Sequence, residues 1–330
     1  MLRIEIMNFA DRLLRAIDKK ENLSIVGLDP DVEFIPQHIQ DKSLDEKGNN
    51  FEAVGVAFLE FNKRIIDSVA DIVPAIKPQI AFYEIYKAPG IIAFDETIKY
   101  AKQKGLLVIE DGKRNDVGNT ARKYSEGHLG RVKLLRRKNE KEIEIPSFDL
   151  DALTVNGYLG SDCILEFVKD CKNYGKGIFV LDKTSNPSAG ELQDETLSSG
   201  IKLSEGMAHL INEWGKGTEG EESYKSVGAV VGATYAIDAQ TLRKIMTSNV
   251  FLVPGHGAQG GKSEDIPNFV NKDGRGAIVN SSRGIIAAYS KTPYLEKYGE
   301  EGFYKASREE AVKMKEEINQ ALRNSGKSRW

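Results

Sequence analysis

Apolar and β-branched residues recur along the chain in eight short runs, most of them bounded by glycine, proline or charged residues. Runs of this length and composition are typical of strands that are buried on both faces, as in a parallel sheet. The predicted strands are 23–29, 73–78, 106–111, 151–156, 177–182, 227–232, 250–255 and 276–281.

Segments with helical period lie between these runs, and most of them end in Gly or Lys, as the C-terminus of a helix should. The clearest are 51–71, 94–105, 161–175 and 236–246. Regular alternation of strand and helix requires parallel strands with crossover helices. Eight such units favour an α/β fold with a single (β/α)8 barrel over residues 1–330, extended by an N-terminal helix and by a C-terminal helix near 306–323.

A doubly wound open sheet is the alternative fold, but it usually has fewer strands and splits into two halves. No Pro/Ser-rich linker marks such a split, so one domain is favoured. Two connections are long. Residues 124–148 contain six Lys and Arg residues, but Glu140, Glu142 and Glu144 follow at once, which favours a solvated surface insertion over a nucleic-acid patch. Residues 184–225 form the second, and loops of this length are often functional.

Composition narrows the possible functions. Among 330 residues, 46 Lys and Arg against 49 Asp and Glu give a formal charge of −3, so no global field attracts nucleic acid or an anionic membrane. Any anionic ligand needs a local site. Cys163 and Cys171 lack metal or redox spacing and are expected to be reduced. No apolar run approaches the ~18–20 residues of a membrane span, and a soluble cytoplasmic protein is expected.

Charged side chains follow the first three predicted strands. Asp29 ends the first, Lys77 the second, and Asp111 the third, with Lys113 two residues beyond. In a parallel barrel, reactive groups collect at the carboxyl ends of the strands, so these four should share one rim. Strand alternation puts Asp111 and Lys113 on the same side, and Gly112 between them is expected to let the backbone turn.

The same segment continues into the next helix. Asp116 is expected to start that helix, with Thr120 one helical turn later on the same face. A purely structural interpretation of this segment is an ion pair followed by a helix cap, since both are common in proteins. The pattern in question is Asp-x-Lys-x-x-Asp-x-x-x-Thr.

Two loops near the C-terminus add a candidate phosphate site. The last strand runs into Ser281-Ser282-Arg283-Gly284, and the strand before it runs into a glycine-rich loop over 254–265. Many barrels bind phosphate at the loops after strands seven and eight. Glycines 255, 257 and 260 also match G-x-G-x-x-G, which raises a nicotinamide-dependent dehydrogenase as an alternative. That match is weak, because the loop lies late in the chain and no acidic residue closes the following strand.

Taken together and in order, these segments resemble the motifs of orotidine 5′-phosphate decarboxylase in its longer, second-group form. They are LDPD (28–31), AIKPQ (75–79), EDGKRNDVGNTA (110–121), TSNPSAGELQD (184–194), PGHGAQGG (254–261) and NSSRGI (280–285). The resemblance implies a phosphate-binding (β/α)8 barrel that works as a homodimer with shared sites. It implies conversion of orotidine 5′-phosphate to uridine 5′-phosphate and CO2 in pyrimidine synthesis, without metal or cofactor.

The resemblance also assigns catalytic roles. Lys113 is similar to the ammonium that stabilises charge at C6 of the pyrimidine and then protonates it, with Asp111 beside it. Asp116 and Thr120 resemble the pair that reaches across the dimer interface into the neighbouring site. Lys77 resembles a residue that completes the charge network and holds a ribose hydroxyl.

The remaining assignments concern substrate binding. Asp29 resembles a residue that holds the ribose hydroxyls with Lys77. Ser185 resembles the contact to the amide edge of the base, although Thr184 and Asn186 are also candidates. Gln259 and Arg283 are similar to the residues that grip the phosphate.

Three alternatives to this function stay open. A related barrel could use the same acids to hold a divalent metal and act on sugar phosphates, which a chelator would reveal. A non-catalytic phosphate-binding homologue is less favoured, because the charged set is complete. The dehydrogenase would require a bound nicotinamide cofactor.

Overall fold

A computed structural model describes residues 7–257 and 260–330, and within them eight parallel strands close into a barrel. Each strand pairs with its neighbours in the chain, and the last pairs with the first, so the predicted (β/α)8 barrel is confirmed. The barrel strands are β1 (Ser24–Leu28), β2 (Ala75–Pro78), β3 (Leu107–Arg114), β6 (Ala152–Val155), β7 (Gly177–Lys183), β8 (Lys225–Val231), β9 (Asn249–Val253) and β10 (Ala277–Ser281).

Helices surround the barrel, and most cross from the end of one strand to the start of the next. They are α1 (Phe9–Lys20), α2 (Gln37–Lys47), α3 (Phe51–Val69), α4 (Ala81–Glu84), α5 (Lys87–Gln103), α6 (Gly118–His128), α7 (Ser161–Tyr174), α8 (Gly190–Gln193), α9 (Leu203–Trp214), α10 (Ala236–Ile245), α11 (Arg283–Ile286), α12 (Tyr294–Tyr298) and α13 (Phe303–Asn324). Among the described helices, none is both long and apolar enough to span a membrane.

The two terminal helices both pack on the barrel and its surrounding helices. α1 covers the end where the strands begin: Phe9 is buried and meets Phe179 of β7 edge to face, with ring centroids 5.8 Å apart. α13 lies against α3, where Phe303 stacks on Phe61 at 5.0 Å. Because α1 closes the amino end of the barrel, the carboxyl ends of the strands are the side that is left for a ligand.

Within the predicted insertion at 124–148, α6 ends and a two-stranded antiparallel hairpin follows, made of β4 (Arg131–Lys133) and β5 (Glu144–Pro146). Its bases are partly neutralised by its own acids: Lys133 Nζ lies 2.7 Å from a carboxylate oxygen of Glu142. The long segment 184–225 contains α8 and α9, and its first residues lie at the mouth of the barrel.

Candidate active site

The end of β3 is irregular, and it carries two of the predicted catalytic side chains. Glu110 of β3 pairs with Leu153 of β6, and pairing resumes at Arg114 opposite Val155. The three residues 111–113 therefore face only Thr154, which makes this a β-bulge. Such a bulge redirects side chains, and here Asp111 and Lys113 both line the cavity at the mouth of the barrel.

The expectation that Gly112 provides the turn is wrong. The residue in the left-handed conformation is Lys113, with φ of +47°. Glycine is needed at 112 for a different reason, because a Cβ there would lie 2.5 Å from Oε1 of the buried Glu110. The Glu110 side chain is thus packed directly against the backbone of the bulge at Gly112.

Asp111 lies between two ammonium groups. Lys77 Nζ donates to its Oδ2 at 2.8 Å, and Lys113 Nζ donates to its Oδ1 at 2.6 Å. Burial favours the neutral acid, but the two lysines outweigh that effect and hold the pKa of Asp111 well below its ordinary value. The carboxylate is therefore ionised throughout the neutral range.

Lys77 is buried at the end of β2, where its side chain is only 3% exposed. Burial alone would lower its pKa, yet the carboxylates of Asp111 and Asp29 raise it above the ordinary lysine value. Asp29 has the opposite balance: burial raises its pKa, although Lys77 opposes the shift. One carboxylate oxygen of Asp29 is buried without a hydrogen-bond partner, so it is available to a donor from a ligand.

Thr154 of β6 is a functional candidate that the sequence analysis missed. Its hydroxyl accepts from the backbone N–H groups of Gly112 and Lys113, both at 3.0 Å, and donates to Oδ1 of Asp111 at 3.0 Å. This uses the full hydrogen-bonding capacity of a hydroxyl. The signal in the sequence is one polar residue inside the apolar run ALTV, on the face that points into the barrel.

We expect Thr154→Val to lower kcat about 10- to 100-fold and to destabilise the protein by ~1–3 kcal/mol, because two backbone N–H groups of the bulge lose their acceptor while the side-chain volume is kept. Steady-state kinetics and thermal unfolding measure the two effects. Thr154→Ser, which keeps the hydroxyl, is the matched control and should stay near wild type. Equal losses in both variants would contradict the hydrogen-bonding role.

The site opens into a cavity of about 730 Å³ at the carboxyl ends of the strands. It unites six of the nine predicted site residues: Asp29, Lys77, Asp111, Lys113, Ser185 and Arg283. Gln259 lies outside the described residues. The cavity therefore joins the charge network of β2 and β3 to the loops that follow β7 and β10.

The loops predicted to bind phosphate contribute Arg283, the first residue of α11, to the cavity lining, together with Gly255, His256 and Ser282. The Arg283 guanidinium lies 5.6 Å from the centre of the Phe34 ring. No carboxylate in the described part of the chain forms an ion pair with it, so its charge is available to an anion. The glycine-rich loop leads into a 3-10 helix over Ser263–Asn268, rather than into the α-helix that a dinucleotide fingerprint requires.

Asp116 and Thr120 do not line this cavity. The prediction that Asp116 starts the helix is also wrong: α6 begins at Gly118 after Val117, and the Asp116 carboxylate accepts a hydrogen bond from the backbone N–H of Val117 at 2.7 Å. The bulge lengthens β3 and shifts the helix start. Asp116 is partly exposed and Thr120 is exposed, so both are accessible from outside this chain.

The loop after β7 carries the three candidates for the base contact, and all three line the cavity. Gln193 braces this loop: its carbonyl accepts from the Thr184 backbone N–H at 2.9 Å, and its amide donates to the Thr184 hydroxyl at 2.8 Å. Asn186 accepts from that hydroxyl at 2.6 Å. Ser185 remains the predicted contact.

Asp182, just before this loop, is a second site residue that the sequence analysis passed over. It lines the cavity and is 4% exposed, and neither carboxylate oxygen has a hydrogen-bond partner. Burial raises its pKa well above the ordinary value, although Lys183 opposes the shift. An acid whose pKa is higher in the folded state than in the unfolded state destabilises the fold when it ionises. The free energy of unfolding therefore falls as the pH rises from the unfolded-state pKa toward the folded-state pKa.

We therefore expect Asp182→Asn to raise the Tm by a few degrees at pH 8 and to change it less at pH 4, because the amide removes the cost of ionising a buried acid. Thermal unfolding from pH 4 to pH 8 measures the difference. Asp162→Asn on the exposed start of α7 is the control. A Tm gain that does not depend on pH would contradict the assigned protonation.

Fold and site together define a (β/α)8-barrel enzyme whose candidate site is a lysine–aspartate–lysine cluster, with an arginine lining the same cavity. Comparisons with known proteins identify the family within this class of enzymes. The sequence model of the orotidine 5′-phosphate decarboxylase / HUMPS family matches residues 25–298. The chain belongs to this family.

Full-length relatives agree with that assignment. The chain is 42% identical to orotidine 5′-phosphate decarboxylase of Caldicellulosiruptor saccharolyticus over 96% of this chain and 99% of the relative. It is 40% identical to the Rhodopirellula baltica enzyme of the same name, over 94% and 99%. Among solved structures, the OMP decarboxylase of Leishmania donovani matches with a TM-score of 0.69 and 26% identity, covering 96% of this chain and 99% of that one.

Proposed function

We propose that this chain is a carboxy-lyase that converts orotidine 5′-phosphate to uridine 5′-phosphate and CO2. The observation that carries the proposal is the Asp111 carboxylate, held at 2.8 Å by Lys77 and at 2.6 Å by Lys113 at the mouth of the barrel. Family membership supports the reaction, and the full-length relatives named above are decarboxylases rather than sugar-phosphate enzymes.

The reaction explains why a lysine is needed at this point. Loss of CO2 from C6 of the pyrimidine leaves a carbanion whose lone pair lies in the ring plane and does not delocalise into the ring. A fixed cation beside C6 is the direct way to stabilise it. In the proposed mechanism, the Lys113 ammonium supplies that charge and then transfers a proton to C6, so that the C6–H bond replaces the broken bond to the carboxyl carbon.

Asp111 acts in two ways in this mechanism. It keeps Lys113 in place and charged, and as an ionised group it repels the substrate carboxylate more than the neutral CO2 that leaves. The network is set before substrate arrives, because Thr154 and Lys77 hold Asp111 in position. Little reorganisation is then required during the reaction.

The phosphate would bind away from the reacting carbon. Enzymes lower barriers by roughly 8–23 kcal/mol, and one ion pair does not supply the upper end of that range. Binding energy from the phosphate, through Arg283 and the predicted contact of Gln259, would hold the base against Lys113 and exclude water. Asp29 and Lys77 would hold the ribose between the two ends.

We also propose a cytoplasmic homodimer in which Asp116 and Thr120 complete the partner's site. What supports this is that both residues are accessible, lie outside the cavity of their own chain and follow directly after the catalytic bulge. Val117 between them is 48% exposed, as expected of an apolar residue that a second subunit covers. The whole chain would act as one domain, without a metal, a cofactor, nucleic acid or a membrane as partner.

The activity is tested by following orotidine 5′-phosphate by ultraviolet absorbance with purified protein and a chelator present. We expect steady depletion of the substrate under these conditions. No depletion would overturn the proposal. A chelator-sensitive activity on sugar phosphates in its place would favour the metal-dependent alternative.

A further inference from the structure

The glycine-rich loop after β9 is closed by its own backbone. The N–H of Gly257 donates to the carbonyl of Gly261 at 2.9 Å, and the N–H of Gly261 donates to the carbonyl of Gly255 at 3.1 Å. Gly255, Gly257 and Gly260 have φ of +93°, +72° and +92°, which only glycine adopts without strain. The positions of these described glycines therefore depend on the contacts that hold the residues next to them.

One side chain in this loop is anchored outside it. The Nε2 atom of His256 lies 2.9 Å from the Ser263 hydroxyl, which in turn lies 3.3 Å from a carboxylate oxygen of Glu317 on α13. His256 also pairs through its backbone with Gly261, at the other end of the loop. The chain from His256 to Glu317 thus connects the glycine loop to the C-terminal helix.

The direction of the hydrogen bonds follows from the number of protons. The Ser263 hydroxyl has one proton, and an ionised carboxylate is only an acceptor, so Ser263 donates to Glu317. His256 must then donate its Nε2 proton to Ser263. Burial lowers the pKa of His256, with Glu317 and Glu264 opposing the shift, so this is the neutral ring with its proton on Nε2.

We propose that His256 is a positioning residue for phosphate recognition, which holds the described ends of the glycine loop, 254–257 and 260–265, beside Arg283 through Ser263 and Glu317. The inference rests on the phosphate site proposed above. His256 lines the same end of the cavity as Arg283 and Ser282, and Ser263 at the centre of the chain is 7% exposed. The C-terminal helix, which has no direct place in the chemistry, thereby contributes to substrate affinity.

The test compares the product, uridine 5′-phosphate, with uridine, which lacks only the phosphate. In His256→Phe the ring volume is kept and the donor is lost. We expect the dissociation constant for uridine 5′-phosphate to rise about tenfold, with that for uridine unchanged. KM for orotidine 5′-phosphate should rise by a similar factor, with a smaller change in kcat.

Four further variants separate positioning from general damage. His256→Gln puts an amide N–H close to the position of Nε2 and should restore most of the affinity for uridine 5′-phosphate. Ser263→Ala breaks the same chain elsewhere, so its effect should not add to that of His256→Phe. Glu317→Ala removes the acceptor of the Ser263 hydroxyl and should weaken binding, while Glu316→Ala at the neighbouring exposed position should not.

The outcomes are distinct. Loss of affinity for uridine and its phosphate alike, or unchanged binding of both in His256→Phe and Ser263→Ala, would overturn the role of His256. If His256→Phe does not fold, Ser263→Ala alone decides between these results. Wild-type protein that binds the phosphate no better than uridine would instead overturn the proposed function on which the inference rests.

Discussion

Lys113→Ala should reduce decarboxylation of orotidine 5′-phosphate by on the order of 10⁴-fold or more while the barrel stays folded. In the proposed mechanism Lys113 both stabilises the carbanion and supplies its proton. Removal of a group with such a double role lowers the rate by a factor of that size. The fold should survive because the Lys113 ammonium is half-exposed, and its carboxylate partner keeps Lys77.

The measurement is kcat/KM by ultraviolet absorbance, together with a thermal unfolding curve. Lys99→Ala is the matched control, since it removes a lysine that is also about half exposed and also pairs with an aspartate, Asp95, but on the outer surface of α5. It should retain wild-type activity. A Lys113→Ala variant within tenfold of wild type would mean that another group performs the assigned chemistry.

Mixing inactive Lys113→Ala chains with inactive Asp116→Asn chains should restore about a quarter of the wild-type activity. Random exchange makes half of the dimers mixed, and one of the two sites in each mixed dimer has both an intact Lys113 and an intact Asp116 from its partner. The prediction follows from the position of Asp116, which lies outside the cavity of its own chain.

The control is a mixture of Lys113→Ala with Asp111→Asn chains. These two groups are hydrogen-bonded within one chain, so no mixed dimer contains an intact site, and no activity should return. Subunit exchange is verified with differently tagged chains. Exchange without recovery in the first mixture would show that Asp116 acts in its own chain or in neither.

The barrel could be predicted from sequence because strands buried on both faces form apolar runs with distinct ends. Three charged residues of the site could also be predicted from the sequence, since each stands at the end of such a run: Asp29, Lys77 and Asp111. α2 was not predicted, because its sequence has no apolar repeat at helical spacing. Ile39 and Ser43 are its buried residues, and of these two Ile39 alone is apolar.

What the sequence did not reveal depends on contacts between distant segments. The bulge at 111–113 exists because Thr154, more than forty positions along the chain, satisfies two of its backbone groups. The same bulge moves the start of α6 past Asp116. His256 and Glu317 are 61 positions apart and are joined through Ser263. Each of these pairings requires the closed barrel, and none leaves a periodic pattern.

The proposed reaction removes CO2 from C6 and replaces it with a proton. It is tested most directly by incubating the wild-type protein, in chelator and in D2O, with orotidine 5′-phosphate labelled in the carboxyl carbon. We expect one labelled CO2 for each uridine 5′-phosphate formed, with deuterium at C6 delivered from the exchanged Lys113 ammonium. Release of no labelled CO2, or CO2 without an equal amount of uridine 5′-phosphate, would contradict it.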